Sequence, residues 1–169
     1  WLAELGFSDF AGSTLVHSTG GAAALAGAML LGARTGRFTK SGAPAPIKPF
    51  AASSIPLVTV GVFILWLGWF GFNGGSQLAM GTFDDAVAIS NIFINTNLAA
   101  CGGVMAAGAI TRLMAGKTDV IQMLNGAIGG LVAITAEPLA PTPLAAILIG
   151  ACGGLIVVFG TKLLFSLKI

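Results

Sequence analysis

The sequence predicts an all-α fold, a polytopic membrane helix bundle, and three observations predict it. The chain is 56% hydrophobic and only 8% charged, with a mean hydropathy of +0.94. A soluble domain carries roughly a quarter charged residues, and such a surface could not stay in water. The apolar residues gather into runs of membrane length, with none of the period-2 alternation that marks a membrane barrel. Finally, the charges are sorted by sign between alternate connections. Twenty-five glycines suit this class, because small residues let helix backbones approach where no hydrophobic effect drives them together.

Five transmembrane helices are drawn, at approximately residues 10–33, 51–73, 87–111, 120–136 and 144–167. At 1.5 Å per residue the longer ones reach about 35 Å, enough to cross a hydrocarbon core of about 30 Å with some tilt. The fourth lies at the short end of the range. All eight basic residues fall in one set of connections: Arg34, Arg37, Lys40 and Lys48, then Arg112 and Lys117, then Lys162 and Lys168. The other set carries Glu4, Asp9, Asp84, Asp85 and Glu137. The positive-inside rule puts Trp1 outside and Ile169 in the cytoplasm. A missed or extra helix would scramble this segregation, so it supports the segment count. Asp119 is the one acidic residue on the inner side and reads as a cap for the fourth helix.

The first helix holds the only histidine, His17. An imidazole inside a membrane-length helix is costly unless it faces protein or water, so it marks a polar pathway. At helical spacing it shares a face with Ser13, Gly20, Gly21, Ala24, Gly27 and Ala28, a stripe almost without bulk. Two readings stay open: a ring nitrogen lining a narrow pore, or a histidine bonded to another helix across a glycine-rich contact. One histidine without a Cys or carboxylate at i±4 makes a poor metal site. Asp9, ahead of the helix, reads as a cap for free backbone N–H groups, with direct cation ligation as the sharper alternative.

In the second helix Trp69, Phe72 and Ser76 share one face. Trp66 and Phe70 read as interfacial anchors. Phe72 beside a serine hydroxyl resembles a gate and a donor/acceptor for a small cation, since aromatic faces attract ammonium-type ions by about 0.5–2 kcal/mol. Asn73, Asn91, Asn95, Asn97 and Asn125 are expected to hydrogen-bond between helices. Cys101 and Cys152 lie in apolar runs and read as packing residues. The inner connection at residues 34–50 contains Gly36, Gly42, Pro44, Pro46 and Pro49 and cannot continue a helix, while residues 137–143 form a stiff proline-rich outer turn. No nucleophile–base pair, phosphate loop or paired carboxylate is present, so an enzyme is unsupported, no cofactor or metal is expected, and the net charge of +2 points to no nucleic-acid partner.

Three blocks carry a resemblance: Asp-Phe-Ala-Gly-Ser with a following His-x-x-Gly-Gly at 9–21, Gly-Trp-Phe-Gly-Phe-Asn-Gly-Gly-Ser at 68–76, and Asn-Thr-Asn-Leu-Ala-Ala at 95–100. The run from Asn125 to Thr135 is similar too. The chain resembles the ammonium transporter family (Amt/Mep/Rh), in its Amt branch, over essentially its whole length. The resemblance implies that residues 1–169 are a partial membrane domain, the fifth to ninth of eleven helices arranged as inverted repeats. It further implies a homotrimer in the cell membrane. It implies that His17 is one of two pore histidines, Phe72 one of two stacked gates, and Ser76 an outer-site hydroxyl, with Trp69 on the pore wall. Asp9 becomes a buried carboxylate supporting the outer site, with Asn73 beside it. The partner histidine would follow Ile169, and the other gate and an outer-site tryptophan would precede Trp1. On that basis the segment by itself is not expected to conduct. The implied function is ammonium transport: NH4+ is recruited outside and deprotonated, and NH3 is conducted with or without its proton. The alternative is an ammonium sensor coupled to a signalling module. A PII-type regulator is the implied cytoplasmic partner, on loops such as 34–49.

Overall fold

The computed structural model describes residues 1–38 and 50–169. Every regular element described is helical. A 3₁₀ turn, Ala3–Leu5, precedes a π-helical turn, Ser13–Ser18, which runs directly into α1, Thr19–Leu31. Then come α2, Ile55–Gly75, α3, Phe83–Ala115, α4, Val120–Ile134, and α5, Pro143–Ser166. Four helical runs are long and apolar enough to cross a membrane: Ser13–Leu31, Ile55–Gly75, Phe83–Ala115 and Pro143–Ser166. Val120–Ile134 is apolar but shorter. Large hydrophobic side chains such as Leu57, Ile64, Leu67, Leu148 and Ile156 stand exposed on the helix faces, as lipid-facing positions must. The chain is a multi-pass membrane protein.

Helix ends follow local chemistry. Ser54 caps α2, accepting from the Leu57 N–H at 3.3 Å, and proline sits in the first turn, so the helix begins at Ile55 and not near residue 51. Thr82 and Asp85 form a reciprocal capping box, which starts α3 four residues earlier than apolarity suggests. Asp119 accepts from the Ile121 and Gln122 N–H groups and caps α4. Thr142 caps α5. Lys40, Lys48, Gly42, Pro44, Pro46 and Pro49, and with them most of the loop considered for a regulator, lie outside the described residues.

The core is the triple packing of α3, α4 and α5. It runs on glycine: a Cβ at Gly102, Gly103, Gly130, Gly150 or Gly154 would strike the backbone of a facing helix. Such approach brings Cα–H groups onto carbonyls and maximises dispersion. Ile92, Ala99, Ala100, Leu131, Ile134, Ala146 and Val158 fill the remaining interior. α2 lies against α3 and α4, with Trp69 set between Ala100 and Leu131. Asn95 ties the α4–α5 connection down, its amide donating to the carbonyls of Pro138 at 3.0 Å and Pro141 at 2.8 Å. Thus Asn95 bonds to a loop and not to another helix. Trp66 departs from the expectation of an interfacial anchor, and Phe70 has a packing partner of its own. Trp66 lies midway along α2, packed on the Trp69–Ala100–Leu131 cluster, and Phe70 meets Phe93 of α3 edge-on at 5.4 Å. Both rings pack helices together.

Candidate functional site

The site is built by an unusual helix start. Gly12 has φ +99° and is buried, and a Cβ there would come within 2.7 Å of Val16 Cγ2. Only glycine suits this left-handed opening. The following turn is wide, with the His17 N–H reaching back to the Gly12 carbonyl at 3.2 Å. Asp9 satisfies the free N–H groups that such a start leaves. Its Oδ1 accepts from Ser13 at 2.8 Å, and its Oδ2 accepts from Thr14 at 3.0 Å and Leu15 at 2.9 Å. A carboxylate receiving three backbone donors at a positive helix end is strongly favoured as a cap. The continuous α-helix expected from residue 10 is therefore corrected: its first turn is π, and Ser13 donates its hydroxyl to the Val132 carbonyl of α4 at 2.8 Å.

That turn presents His17 to α2. The imidazole stacks on Trp69 with centroids 5.1 Å apart and planes at 25°. It also meets Phe72 at 5.5 Å, and Trp69 and Phe72 are 5.7 Å apart. The three rings form one cluster, each pair worth about 0.5–1.5 kcal/mol beyond burial. The Nε2 atom of His17 is buried and meets no hydrogen-bond partner among the described residues. A buried ring nitrogen in that condition normally has a reason.

Ser76 follows Phe72 by one turn and ends α2, its hydroxyl donating to the Phe72 carbonyl at 2.8 Å. With its proton committed, the Ser76 oxygen offers lone pairs, which suits a donor cation. Asn73 turns the other way, to α3. It is fully buried, and its Nδ2 donates to Thr96 Oγ1 at 3.0 Å while its Oδ1 has no partner among the described residues. The structure thus gathers His17, Trp69 and Phe72 directly, with Asp9 through the π-turn and Ser76 one turn beyond Phe72. Asn73 sits behind them. Among the described residues no group of three or more His, Cys, Asp or Glu could hold a metal ion.

Thr135 belongs with these residues. Its hydroxyl accepts from the Trp69 indole N–H at 2.9 Å, and its carbonyl accepts from the Ala11 N–H at 3.1 Å. It lies 66 positions from Trp69, and no spacing rule joins the two.

The profile of the Ammonium Transporter Family matches residues 1–169. Ammonium transporter Amt2 of Archaeoglobus fulgidus is 45% identical over 155 residues, covering 92% of this chain and 32% of the relative. A solved structure titled Sensor Amt Protein superposes with a TM-score of 0.89 at 38% identity, over 100% of this chain and 40% of that one. The crystal structure of Candida albicans Mep2 gives 0.83 at 31% identity, over 99% and 35%. The chain spans 29% to 38% of the length of the curated relatives it matches first.

Proposed function

Because the chain belongs to the ammonium transporter family, we propose that it supplies one wall of a pore that moves ammonium across a membrane. The observation that carries this reading is the stack of His17 on Trp69 and Phe72, with a buried imidazole nitrogen left without a partner among the described residues. Ser76 and a ring at the outer end recruit NH4+, replacing water with a hydroxyl oxygen and cation–π contact worth about 0.5–2 kcal/mol. Asp9 and Asn73 support that outer site without ligating the ion. Past Phe72, a full charge in an apolar lumen is costly, so the ion gives up its proton, either to water at the outer site or to the imidazole pair, and NH3 passes the imidazole edge. His17 is one member of a histidine pair whose partner belongs to a neighbouring segment of a longer protein. In this reading the residues numbered 1–169 are a partial domain, with Trp1 outside and Ile169 in the cytoplasm. The complete protein is a homotrimer that a PII-type regulator meets on the cytoplasmic side.

The test is His17→Ala in the complete protein, followed by methylammonium uptake and current together. Loss of uptake or altered ion selectivity supports the role, and unchanged uptake and current overturn it. Current lost while uptake persists indicates that the proton travels along the imidazoles. A second reading, an ammonium sensor, is favoured by one finding, the superposition on a structure titled Sensor Amt Protein. Saturable ammonium binding without flux would select it.

A further inference from the structure

We infer that Thr135 is a positioning residue that fixes the Trp69 indole as a wall presenting its face to the pathway and holds the His17 turn against that face. The inference rests on the pathway reading of Trp69 and His17.

Three observations carry it. First, Trp69 has a single polar side-chain atom, its indole nitrogen, and that N–H donates to Thr135 Oγ1 at 2.9 Å. Thr135 is fully buried, and its own hydroxyl donates to the Leu131 carbonyl at 2.6 Å. The relay runs one way, from indole to hydroxyl to carbonyl, so every proton in it is committed. Trp69 therefore has no donor left for a passing ammonia or ammonium and can act only through its π face, the face stacked on His17. A freely rotating indole could instead offer its N–H into the pathway, where it would repel a cation and trap ammonia.

Second, the same short stretch holds the other wall. α4 has 15 residues, about 22 Å of helix, and so ends within the depth of the bundle. Carbonyls at a helix end need partners, and here the segment bearing His17 bonds one carbonyl of the last turn, that of Val132, and the two just past it, those of Thr135 and Ala136. Phe10 N–H donates to the Ala136 carbonyl at 2.8 Å, Ala11 N–H to the Thr135 carbonyl at 3.1 Å, and the Ser13 hydroxyl to the Val132 carbonyl at 2.8 Å. Thr135 is the residue at which both sets of bonds meet, one through its side chain and the other through its backbone. It sets the spacing of the two rings.

Third, the protein contains its own control. Thr59 and Thr161 also return their hydroxyls to the carbonyl four residues back, the ordinary habit of threonine in apolar helices. Neither receives an indole. Thr111 also returns its hydroxyl four residues back, but the bond it accepts comes from the Asp119 backbone N–H, so what distinguishes Thr135 is the indole it receives.

The experiment uses the complete transporter in proteoliposomes and reads methylammonium uptake. Thr135→Val removes the hydroxyl at nearly constant volume, and Thr135→Ser keeps it. Thr135→Val is expected to lower the maximal rate about tenfold with half-saturation shifted less than about twofold, and Thr135→Ser to stay within about twofold of the parent. Thr161→Val is expected to leave uptake unchanged. Trp69→Phe should reproduce the loss, and adding Thr135→Val to it should cost nothing more. A folded Thr135→Val protein at the parental rate overturns the inference, and so does an undiminished further loss in the Trp69→Phe background. If Thr135→Val does not reach the membrane, Trp69→Phe and Thr135→Ser decide between the outcomes. Parental uptake in Trp69→Phe, or a collapse in Thr135→Ser, then overturns the inference, and the reverse pattern upholds it. The two failures separate cleanly. Parental uptake in both His17→Ala and Trp69→Phe removes the pathway reading, whereas impairment in both with a normal Thr135→Val removes only the positioning role.

Discussion

The glycines of α3, α4 and α5 and those of α1 are the same residue in the same kind of apolar helix, yet their surroundings are opposite. At Gly150 an added Cβ would run into the Ala99 backbone, and at Gly103 into the Gly126 carbonyl. At Gly20, Gly21 and Gly27 it would meet nothing within 4 Å. Among the described residues, Thr19–Leu31 packs against no helix other than the π-turn it continues, and none of its residues is buried. Small residues in an apolar helix therefore announce close approach without saying whether the partner is at hand. The α3–α4–α5 core is closed within this chain. The α1 wall is open along its length, held at its N-terminal end, where the His17 turn is bonded to α4 and stacked on α2, and just past its C-terminal end, where Arg37 and Phe38 meet Phe165 of α5.

The widest separation between the two regions comes from matched substitutions. Gly150→Val should destabilise the detergent-solubilised protein by about 3 kcal/mol or more, because the facing atoms are backbone and cannot move aside. Gly27→Val should change the stability of this segment by less than about 1 kcal/mol. Thermal unfolding followed by size-exclusion chromatography compares them directly. Equal damage from both substitutions would abolish the contrast.

Asp9→Ala attacks the link at the N-terminal end of α1. Three backbone donors lose a charged acceptor, a local loss of about 2 kcal/mol. Hydrogen exchange should accelerate at Ser13, Thr14 and Leu15 while amides near Gly103 stay protected. Uniform loosening of both regions would mean that the core depends on the turn, contrary to the closed packing of α3–α5. Uptake by the complete protein should fall, since the turn presents His17.

A smaller effect is expected inside the core. Thr96→Val strands the Asn73 amide, already missing a partner for its Oδ1 among the described residues, and should cost about 1–2 kcal/mol. Replacing both residues by apolar ones, Asn73→Leu with Thr96→Val, should recover most of that loss, because no buried polar group is then left unmatched. A double variant as unstable as the sum of the singles would assign the pair a packing role in place of a polar one.

The bundle was legible because hydropathy is an averaged property. Runs of apolar residues survive small errors of boundary. The resemblance drew attention to His17, Trp69 and Phe72, and the structure places those three rings together. Spacing could not supply the π-turn, which depends on a positive φ at Gly12 and on a carboxylate four to six residues away from the donors it caps. Nor could it supply Thr135, since a threonine near the end of a short apolar helix looks like any polar terminus. Trp66 misled for the opposite reason. Tryptophan at a membrane surface is a sound general rule, but this one sits midway along its helix, where packing governs.

The smallest effect tests why α3 exceeds its apolar run. Residues 83–86 are Phe-Asp-Asp-Ala, and two carboxylates read as loop. In the structure Asp85 Oδ2 accepts from the Thr82 N–H at 3.0 Å and from its hydroxyl at 2.8 Å, while Thr82 Oγ1 accepts from the Asp85 N–H at 3.1 Å. The acidic residues therefore belong to the helix, at the end where the dipole favours them. Thr82→Ala should cost about 1 kcal/mol and fray only the first turn. The amides of Asp84, Asp85 and Ala86 should exchange faster, with Ile92 and everything beyond it unchanged. Protection lost as far as Asn95 would show that the extension braces the core and is more than a capped overhang.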